Sequence, residues 1–534
     1  MKTAVELFDT TLRDGSQGEK INFSVEDKLN IARRLDEFGM HFIEGGWPGS
    51  NPKDAVFFDR AKKEKWQFSK LTAFGSTRRA DRSPETDDNL QMLLQAETPA
   101  ISIFGKTWSL HATKALGVSL EENLELIYSS VAYLKSHGRE VVYDAEHFFD
   151  GYKNNPDYAL KTLRAAAQAG ANVLVLCDTN GGSLPTEVYE IAQRVVSEFD
   201  CKIGIHAHND GELAVANTLS AVRAGARHVQ GTVNGFGERC GNANLISAIA
   251  NLQLKLDFSC VRPESLQGLK DLSGYVYELA NVATRDEAAF VGNSAFAHKG
   301  GVHVSAVMKD PVLYEHIHPE TVGNSRRVLV SDLSGRSNVV YKMAELGLET
   351  AASSEVKEVV QQVKELEHNG YYFEAAEASF ELLVERRRNK VPTFFSLTGL
   401  RINVERDAEN EPRSEASIRV SVDGHIEHTA AEGDGPVNAL DNALRKALVR
   451  FFPDIALVKL VDYKVRVLTE KDSGTASRVR VLIESQAGDE RWSTMGVSEN
   501  IIEASWQALV DSYTFFLYKK QHVEQPREEP HYAS

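Results

Sequence analysis

The sequence lacks the features that mark secreted, membrane-spanning and nucleic-acid-binding proteins. Its four cysteines are widely separated and form no CxxC pair, so we expect reduced thiols. No stretch approaches the roughly 20 apolar residues of a membrane span, and no secretory signal is visible at the N-terminus. The formal net charge of −16 argues against a nucleic-acid or anionic-membrane surface. We therefore expect a soluble cytoplasmic protein with no nucleic-acid or membrane partner.

What is present is a pattern that recurs through residues 1–255. Eight short apolar runs are each followed by a polar loop and a segment of helical period, as in a (β/α)8 barrel. An open doubly wound sheet is the alternative, but its GxGxxG after the first strand is absent. The runs are VELF (5–8), HFIEGG (41–46), LTAFGS (71–76), AISIFG (100–105), EVVYDAEHF (140–148), NVLVLCDTNGG (172–182), KIGIHAHND (202–210) and HVQGTVNGFG (228–237). We predict an α/β fold of the TIM-barrel type.

Polar side chains cluster at the ends of six of these runs. In a barrel of this kind the functional residues lie at the carboxyl ends of the strands, where the βα loops begin. The candidates are Arg13 and Asp14 after the first run, Glu44 at the second, Asp144 and Glu146 at the fifth, Asp178, Thr179 and Asn180 at the sixth, His206 and His208 at the seventh, and Asn234 to Asn242 after the eighth. All of these positions fall at one end of the barrel, so we predict a single polar site there.

The spacing of His206 and His208 predicts a metal site. A strand has a period of two, so both imidazoles point to the same side. Two imidazoles and a carboxylate form a divalent metal site with open positions, and Asp14 would supply the carboxylate. The same ligand set occurs around iron in oxygenases, so ligand type alone does not choose the metal. Two histidines hydrogen-bonded in place for structure are the alternative.

Several other residues have both a functional and a structural interpretation. Arg13 offers a fork of donors to a carboxylate or an oxyanion, or else pairs with Asp14 at a strand–loop junction. The glycine-rich loop 235–245 leads into a helix N-terminus where barrels often bind phosphate groups, although such a loop alone is a weak signal. Glu146 is a candidate general base or an inert loop carboxylate. Thr179 could bind a substrate carboxylate or cap the next helix.

The pattern changes twice after the barrel, which predicts three domains at 1–285, 286–390 and 391–534. The second is loop-rich at first and then helical, and we interpret it as a small helical linker subdomain. The third is predicted to be an α+β module of two strand–strand–helix halves, which indicates an internal duplication. Its last segment, 521–534, is polar and contains proline, and we expect disorder there. The linker helices are predicted at 335–347, 354–368 and 375–388, and a turn of the third domain at Asp423-Gly424.

Three motifs identify a family that the sequence resembles. LFDTTLRDGSQ (7–17), IHAHND (205–210) and NGFGERCGNANL (234–245), in this order on a barrel, are similar to those of the acyl-CoA-condensing aldolases. That family includes the isopropylmalate, homocitrate and citramalate synthases. Residues 295–323 resemble the subdomain that follows the barrel in the family, and 393–520 resemble its C-terminal regulatory dimer domain. The resemblance covers nearly the whole chain.

The resemblance implies how the matching residues bind metal and substrate. The metal ligands would be Asp14, His206 and His208, with Asn242 as a fourth. Arg13 would face the keto oxygen and stabilise the alkoxide as it forms, and Thr179 would hold the carboxylate of the 2-keto acid. Further substrate-binding candidates are Gln17, Glu44 and Asp144. The candidates for a CoA-binding loop are Asn234, Gly235, Gly237, Glu238 and Arg239.

The resemblance also implies a base that is assembled from two chains. Glu146, with His303 brought in from the subdomain of the partner chain, would remove a methyl proton from acetyl-CoA, and Tyr314 would assist. Two places depart from the family pattern. Val304 and Ser305 follow His303 where many relatives have Gln and Asp, and Asp144 stands where an aromatic or hydroxyl-bearing residue is expected.

The activity implied is a condensation of acetyl-CoA with a 2-keto acid, followed by hydrolysis and release of CoA. Overall similarity favours pyruvate as the acceptor, in isoleucine biosynthesis, with 2-oxoisovalerate and 2-oxoglutarate as alternatives. A lyase running the reverse cleavage is less favoured, because such relatives generally lack a long C-terminal domain. A non-catalytic amino-acid sensor is disfavoured because the whole set of polar barrel residues is present.

The family resemblance also implies a cofactor, an assembly and an effector. The cofactor would be a divalent ion, Mn²⁺ or Mg²⁺ first, with Zn²⁺ or Co²⁺ as alternatives. The assembly would be a homodimer. Its effector would be an end-product amino acid, for which isoleucine is the first candidate.

Overall fold

The computed structural model describes residues 2–348, 353–406, 412–468 and 477–523. The chain divides into two compact units. The first is Met1–Phe296 with His316–Arg326, and the second is Ala297–Glu315 with Arg327–Ser534. The three-domain division at 285 and 390 stays a prediction. Across the described ranges, no helix is both long and apolar enough to cross a bilayer.

The first unit is built on a closed barrel of parallel strands. The strands are β1 Glu6–Asp9, β2 Phe42–Gly46, β3 Lys70–Ser76, β4 Ala100–Lys106, β5 Glu140–Glu146, β6 Val173–Asp178, β7 Lys202–Ala207 and β8 His228–Gly231. Each pairs with its neighbour in sequence, and β1 pairs with β8 in register from Glu6↔His228 to Asp9↔Gly231. The predicted TIM barrel is confirmed, because each predicted apolar run overlaps one of these strands.

Side chains that alternate along each strand separate the barrel interior from its outer layer. On β5, Val142 belongs to the cluster inside the barrel, with Val175 of β6. The neighbouring Val141 and Tyr143 belong to the cluster that also contains the helix side chains. Because a strand has a period of two, the inner set continues to Asp144 near the end of β5. The same alternation brings the polar strand ends into the mouth of the barrel.

Amphipathic helices pack around the strands. They are α1 Val25–Phe38, α2 Pro52–Ala61, α3 Asp88–Gln95, α4 Leu120–Ser136, α5 Phe148–Asn154, α6 Pro156–Gln168, α7 Pro185–Glu198, α8 Ala214–Arg223, α9 Leu245–Leu254 and α10 Leu269–Leu279. α1 shows why the sequence begins and ends a helix where it does. Ser24 and Asp27 form a capping box at its start, and Gly39 ends it with a φ of 100°.

The second unit contains a helical part and two α+β halves. The helical part comprises β9 Ala297–His298, α11 Gly301–Val307, β10 Arg327–Val328, α12 Arg336–Glu345, α13 Ser353–His368 and α14 Glu377–Arg387. The first half consists of β11 Ser396–Glu405, β12 Arg413–Val422, β13 His425–Gly433 and α15 Pro436–Leu448. The second consists of β14 Lys459–Leu468, β15 Arg478–Ala487, β16 Glu490–Ser498 and α16 Ile501–Val523. The predicted duplication is therefore present.

Each half has three antiparallel strands where the sequence predicted two strand segments. The turn at Asp423-Gly424 explains the first case, because both residues have positive φ, 47° and 80°, as a two-residue hairpin turn of type I′ requires. The longer predicted segment therefore folds back on itself as β12 and β13. At the C-terminus, α16 continues to Val523, so 521–523 are helical and not disordered as expected. Residues 524–534 lie outside the described residues.

Gly231, the last residue of β8, provides a stability test. A Cβ at this position would lie 2.4 Å from the carbonyl oxygen of Ala243, which accepts the Thr232 N–H at 3.1 Å. We expect Gly231→Ala to lower the free energy of unfolding by about 1–3 kcal/mol, because the strand must move away from the segment before α9. Denaturant titration measures the change. The control is Gly182→Ala, where an added Cβ has nothing within 4 Å, and equal losses in both variants would contradict the argument.

Candidate active site

A cavity of about 410 Å³ opens at the carboxyl ends of the barrel strands, a size that suits a small molecule. Its wall combines charged groups with the rings of Trp47, Phe74 and Phe104. The predicted site residues that line it are Arg13, Asp14, Gln17, Asp144, Glu146, Thr179, His206, His208, Glu238 and Arg239. The fold thus collects into one cavity residues that are far apart in the sequence.

Asp14, His206 and His208 meet on one side of this cavity. The Nε2 atoms of His206 and His208 lie 3.2 Å and 4.0 Å from Oδ2 of Asp14. Burial tends to raise the pKa of Asp14, but the charge of Arg13 and the contact with His206 outweigh it and hold that pKa well below its usual range. Burial lowers the pKa of His208 to about 4. A carboxylate and imidazoles in this arrangement could hold a divalent cation.

Two buried polar atoms beside these residues support that assignment. Oδ1 of Asn242 and Nδ1 of His208 have no hydrogen-bond partner among the described residues. Asn242 forms a backbone bridge with His208, and its amide nitrogen donates to the Phe236 carbonyl at 3.2 Å. Because a buried polar atom without a partner costs free energy, the Asn242 oxygen is suited to a ligand. The residues present therefore fit a bound divalent ion.

Arg13 is held in place by three neighbours. Its Nε donates to Oε2 of Glu44 at 2.6 Å, and its Nη1 lies 3.4 Å from Oδ2 of Asp14. Its guanidinium carbon lies 3.7 Å from the centre of the Phe74 ring. Burial disfavours the charge, but Glu44 and Asp14 outweigh burial and raise the pKa of Arg13. The guanidinium is a fixed positive charge in the cavity wall, suited to an anionic group or a developing oxyanion.

Glu44 and Asp144 are buried carboxyl groups that accept hydrogen bonds from other side chains of the protein. Glu44 lies behind Arg13 and does not line the cavity; burial raises its pKa to about 7. Asp144 accepts from the Ser102 hydroxyl at 2.8 Å and from Nε2 of Gln230 at 2.9 Å, and burial raises its pKa as well. Both carboxylate oxygens of Asp144 already have donors. The predicted contact of these two residues with substrate stays a prediction.

Glu146 and Thr179 both present polar atoms to the cavity. Glu146 forms an ion pair with Lys106, the last residue of β4. The Thr179 hydroxyl oxygen accepts the His147 N–H at 2.8 Å, which leaves its own hydrogen available to an acceptor in the cavity. The positions are compatible with a base and a carboxylate-binding hydroxyl, and those roles stay predictions.

Some residues of the glycine-rich loop line the cavity, and others form contacts within the barrel unit. Arg239 donates to both oxygens of Asp210, at 2.8 Å and 2.9 Å, and to the Thr179 carbonyl at 2.8 Å. Asn234 is occupied with Ser273, which it meets through two hydrogen bonds of 3.0 Å and 2.6 Å. Of the predicted CoA-binding residues, Glu238 and Arg239 line the cavity, while Asn234, Gly235 and Gly237 do not.

His303 and Tyr314 lie together in the second unit. Their ring centres are 4.4 Å apart with a 30° angle between the planes, so the two predicted residues form a pair. Their role beside Glu146 stays a prediction.

Three further residues contact the predicted ones or line the same cavity, although none of them was predicted from the sequence. Lys106 pairs with Glu146, and it could have been found because it ends an apolar run in the same way as the other polar candidates. Gln230 contacts both Asp144 and His206, and its only signal is an amide within the short apolar strand β8. Trp47 donates from its indole nitrogen to Asn89 at 2.8 Å while lining the cavity, which no local pattern indicates.

Comparisons with known proteins match the chain from end to end. Residues 4–272 match the HMGL-like family, 290–371 the homocitrate synthase post-HMGL domain-like family, and 374–517 the LeuA allosteric (dimerisation) domain. The chain is 58% identical to the (R)-citramalate synthase of Geobacter sulfurreducens, over 97% of this chain and 99% of the relative. It is 55% identical to that of Aquifex aeolicus, over 98% and 99%. Identity to the 2-isopropylmalate synthase of Methanocaldococcus jannaschii is 29%, over 97% and 95%.

Asp14 provides a test of the metal site. We expect Asp14→Asn to weaken the binding of Mn²⁺ to the full chain by more than about 100-fold, because it removes the one charged ligand between the two imidazoles. Isothermal titration calorimetry measures the dissociation constant. The control is Asp210→Asn at the same mouth, whose carboxylate is taken up by Arg239. Unchanged affinity in Asp14→Asn would rule out this site.

Proposed function

The chain belongs to the (R)-citramalate synthase family, and from that premise we propose that it joins acetyl-CoA to pyruvate and releases (R)-citramalate and CoA. The observation that carries the proposal is the cavity itself, in which Arg13 and Asp14 from the β1 end meet His206 and His208 at the end of β7. The arrangement supplies a fixed positive charge, a metal site and a carboxylate base on one small cavity. Those are the parts that a condensation onto a 2-keto acid needs.

Separate residues of this chain bind pyruvate, remove the proton from acetyl-CoA and stabilise the oxyanion. The hydroxyl of Thr179 donates to the carboxylate of pyruvate, and Arg13 faces its keto oxygen. Glu146 takes a proton from the methyl group of acetyl-CoA, and Lys106 orients the Glu146 carboxylate. Asp14, His206 and His208 would hold a divalent ion, which would supply Lewis-acid polarisation of the keto group. Arg13 adds to the stabilisation of the oxyanion because its charge is already fixed before the reaction.

The reaction has two stages, formation of a carbon–carbon bond and hydrolysis of the thioester. The carbanion that proton transfer to Glu146 leaves on the thioester forms a carbon–carbon bond with the keto carbon, and the carbonyl π bond breaks to leave an alkoxide. The alkoxide takes a proton from solvent, to which Glu146 returns the proton that it removed, and the product is citramalyl-CoA. Water then cleaves the thioester bond, which gives the dicarboxylic acid and the free thiol of CoA. The negative charge passes from carbon to the keto oxygen in the first stage, and this is where Arg13 lies.

We also propose the identity of the ion, the oligomeric state and the domain organisation. We take Mn²⁺ or Mg²⁺ as the ion, Asn242 as an additional ligand, and His303 and Tyr314 of a partner chain as groups that assist Glu146. We take the protein to be a cytoplasmic homodimer with a barrel, a linker subdomain and a C-terminal regulatory domain. The match to a dimerisation domain supports the homodimer.

A panel of keto acids tests the activity. With Mn²⁺ or Mg²⁺ present, we expect pyruvate to give the fastest release of CoA from acetyl-CoA, and 2-oxoisovalerate and 2-oxoglutarate to be at least about 10-fold slower. The basis is that identity to the (R)-citramalate synthase of Geobacter sulfurreducens is 58%, whereas identity to the 2-isopropylmalate synthase of Methanocaldococcus jannaschii is 29%. A thiol reagent measures CoA. Arg13→Ala is the matched control: it should bind Mn²⁺ but lose CoA release by about 100-fold or more. No response of the wild-type protein to pyruvate would refute the proposal.

We further propose that the C-terminal halves bind isoleucine and lower activity. The duplicated module supports this, since α15 and α16 meet through a 2.5 Å hydrogen bond from the Tyr513 hydroxyl to Asp441, and such paired halves offer clefts between them. We expect isoleucine to inhibit CoA release by the full chain more strongly than valine or leucine. A chain ending at residue 390 should escape inhibition while still binding Mn²⁺. Persistent inhibition of that shorter chain would contradict the idea.

A further inference from the structure

Four buried side chains form a hydrogen-bonded line beneath the cavity. Ser102 of β4 donates to Oδ2 of Asp144 at 2.8 Å, and Nε2 of Gln230 donates to Oδ1 of Asp144 at 2.9 Å. Oε1 of Gln230 lies 2.9 Å from Nδ1 of His206, whose Nε2 is the atom that faces Asp14. Ser102 and Gln230 are fully buried, and Asp144 and His206 are 4% and 6% exposed. The line leads from the barrel interior to a metal-ligating side chain.

The direction of each hydrogen bond follows from the chemistry of the groups. The carboxylate of Asp144 accepts, so the amide nitrogen of Gln230 must face it and the amide oxygen must face His206. An amide oxygen also only accepts, so Nδ1 of His206 carries the hydrogen. In the neutral ring the lone pair is then on Nε2, which points at Asp14. Asp144 therefore determines, through Gln230, which nitrogen of His206 is free to bind a cation.

We propose that Gln230, anchored by Asp144, is a positioning residue that holds His206 in the tautomer whose Nε2 binds the divalent ion. The inference rests on the proposed function in one respect, that the ion binds at Asp14, His206 and His208. It gives Asp144 a role in supporting a ligand in place of the substrate contact predicted from its position. The two oxygens of Asp144 are consistent with this role, because Ser102 and Gln230 already occupy both.

The other histidine of the pair shows why this support matters. Nδ1 of His208 is buried and has no hydrogen-bond partner in the described part of the chain. Among the described residues, no hydrogen bond to Nδ1 therefore selects the tautomer of His208, whereas His206 has such a partner in Gln230. Partners behind metal-bound histidines contribute about 10- to 100-fold to metal affinity in proteins. Gln230 on β8 contacts His206 on the neighbouring strand β7 and also Asp144 on β5, which lies across the barrel interior. Its side chain therefore connects β8 to a strand that is not its neighbour in the sheet.

The test compares two substitutions at position 230 in the full chain. Gln230→Met keeps the length and charge of the side chain but removes the acceptor, and we expect Mn²⁺ to bind about 10- to 100-fold more weakly. Gln230→Glu keeps an acceptor oxygen for Nδ1 of His206, and one proton shared with Asp144 would keep a hydrogen bond to that carboxyl group, so we expect affinity within about threefold of the wild type. Electron paramagnetic resonance of free Mn²⁺ gives the dissociation constants. Nitrogen NMR of metal-free protein with labelled histidine should show a hydrogen on Nδ1 of His206 in the wild type and Gln230→Glu, and a mixture in Gln230→Met.

The matched control is a second buried amide in the same barrel. Asn217 is fully buried and donates to Asp178 at 3.3 Å and to the Ser183 carbonyl at 2.8 Å. Asn217→Leu should cost stability but leave Mn²⁺ affinity unchanged. Wild-type affinity in Gln230→Met, or an equal loss in Asn217→Leu, would overturn the inference. Absence of Mn²⁺ binding by the wild-type protein itself would instead refute the metal site of the proposed function.

Discussion

The pairing of β1 with β8 is the interaction on which the candidate site depends. It closes the sheet in the register Asp9↔Gly231, and Thr10 adds a side-chain hydrogen bond of 3.1 Å to the Gly231 carbonyl. In an open sheet the segment after β1 and the histidines of β7 would lie near opposite edges. Closure brings Asp14 to within hydrogen-bond distance of His206. Gly231, at the end of this strand pair, also lies close to Ala243, so position 231 has no room for a side chain.

Much of the fold was predictable because local patterns and periodicity carry it. The eight apolar runs predicted the strands to within a few residues at most ends, and the barrel rule placed their polar ends at one mouth. The alternation His206-Ala207-His208 on a strand was sufficient to place two imidazoles on one side. The structure adds that Asp14 meets them, which the order of strands implied but no local pattern required.

What the sequence could not provide are partners set by distant parts of the chain. In the sequence, Gln230 is one polar residue in an apolar run. Its contact with Asp144 cannot be predicted from that run, because the two residues are 86 positions apart. Lys106 and Glu146 likewise meet only because β4 and β5 are adjacent in register. The third strand of each C-terminal half was predicted less completely. In the first half the turn at Asp423-Gly424 was predicted, and its positive φ values show that it separates β12 from β13. In the second half no turn was predicted within the corresponding run, where Gly488, with a φ of 61°, lies between β15 and β16.

The long separation between β1 and β8 has a consequence for how the protein is made. Thr10 and Gly231 are separated by 221 positions, so the N-terminal strand leaves the ribosome long before the strand that completes its pairing. Contacts of such high sequence separation form slowly, because a long loop must close before the contact contributes any free energy. Until then the backbone N–H and C=O groups on one edge of β1 are without their partners. The cavity residues after β1 are therefore translated early but cannot meet the histidines at the end of β7 until β8 has closed the barrel.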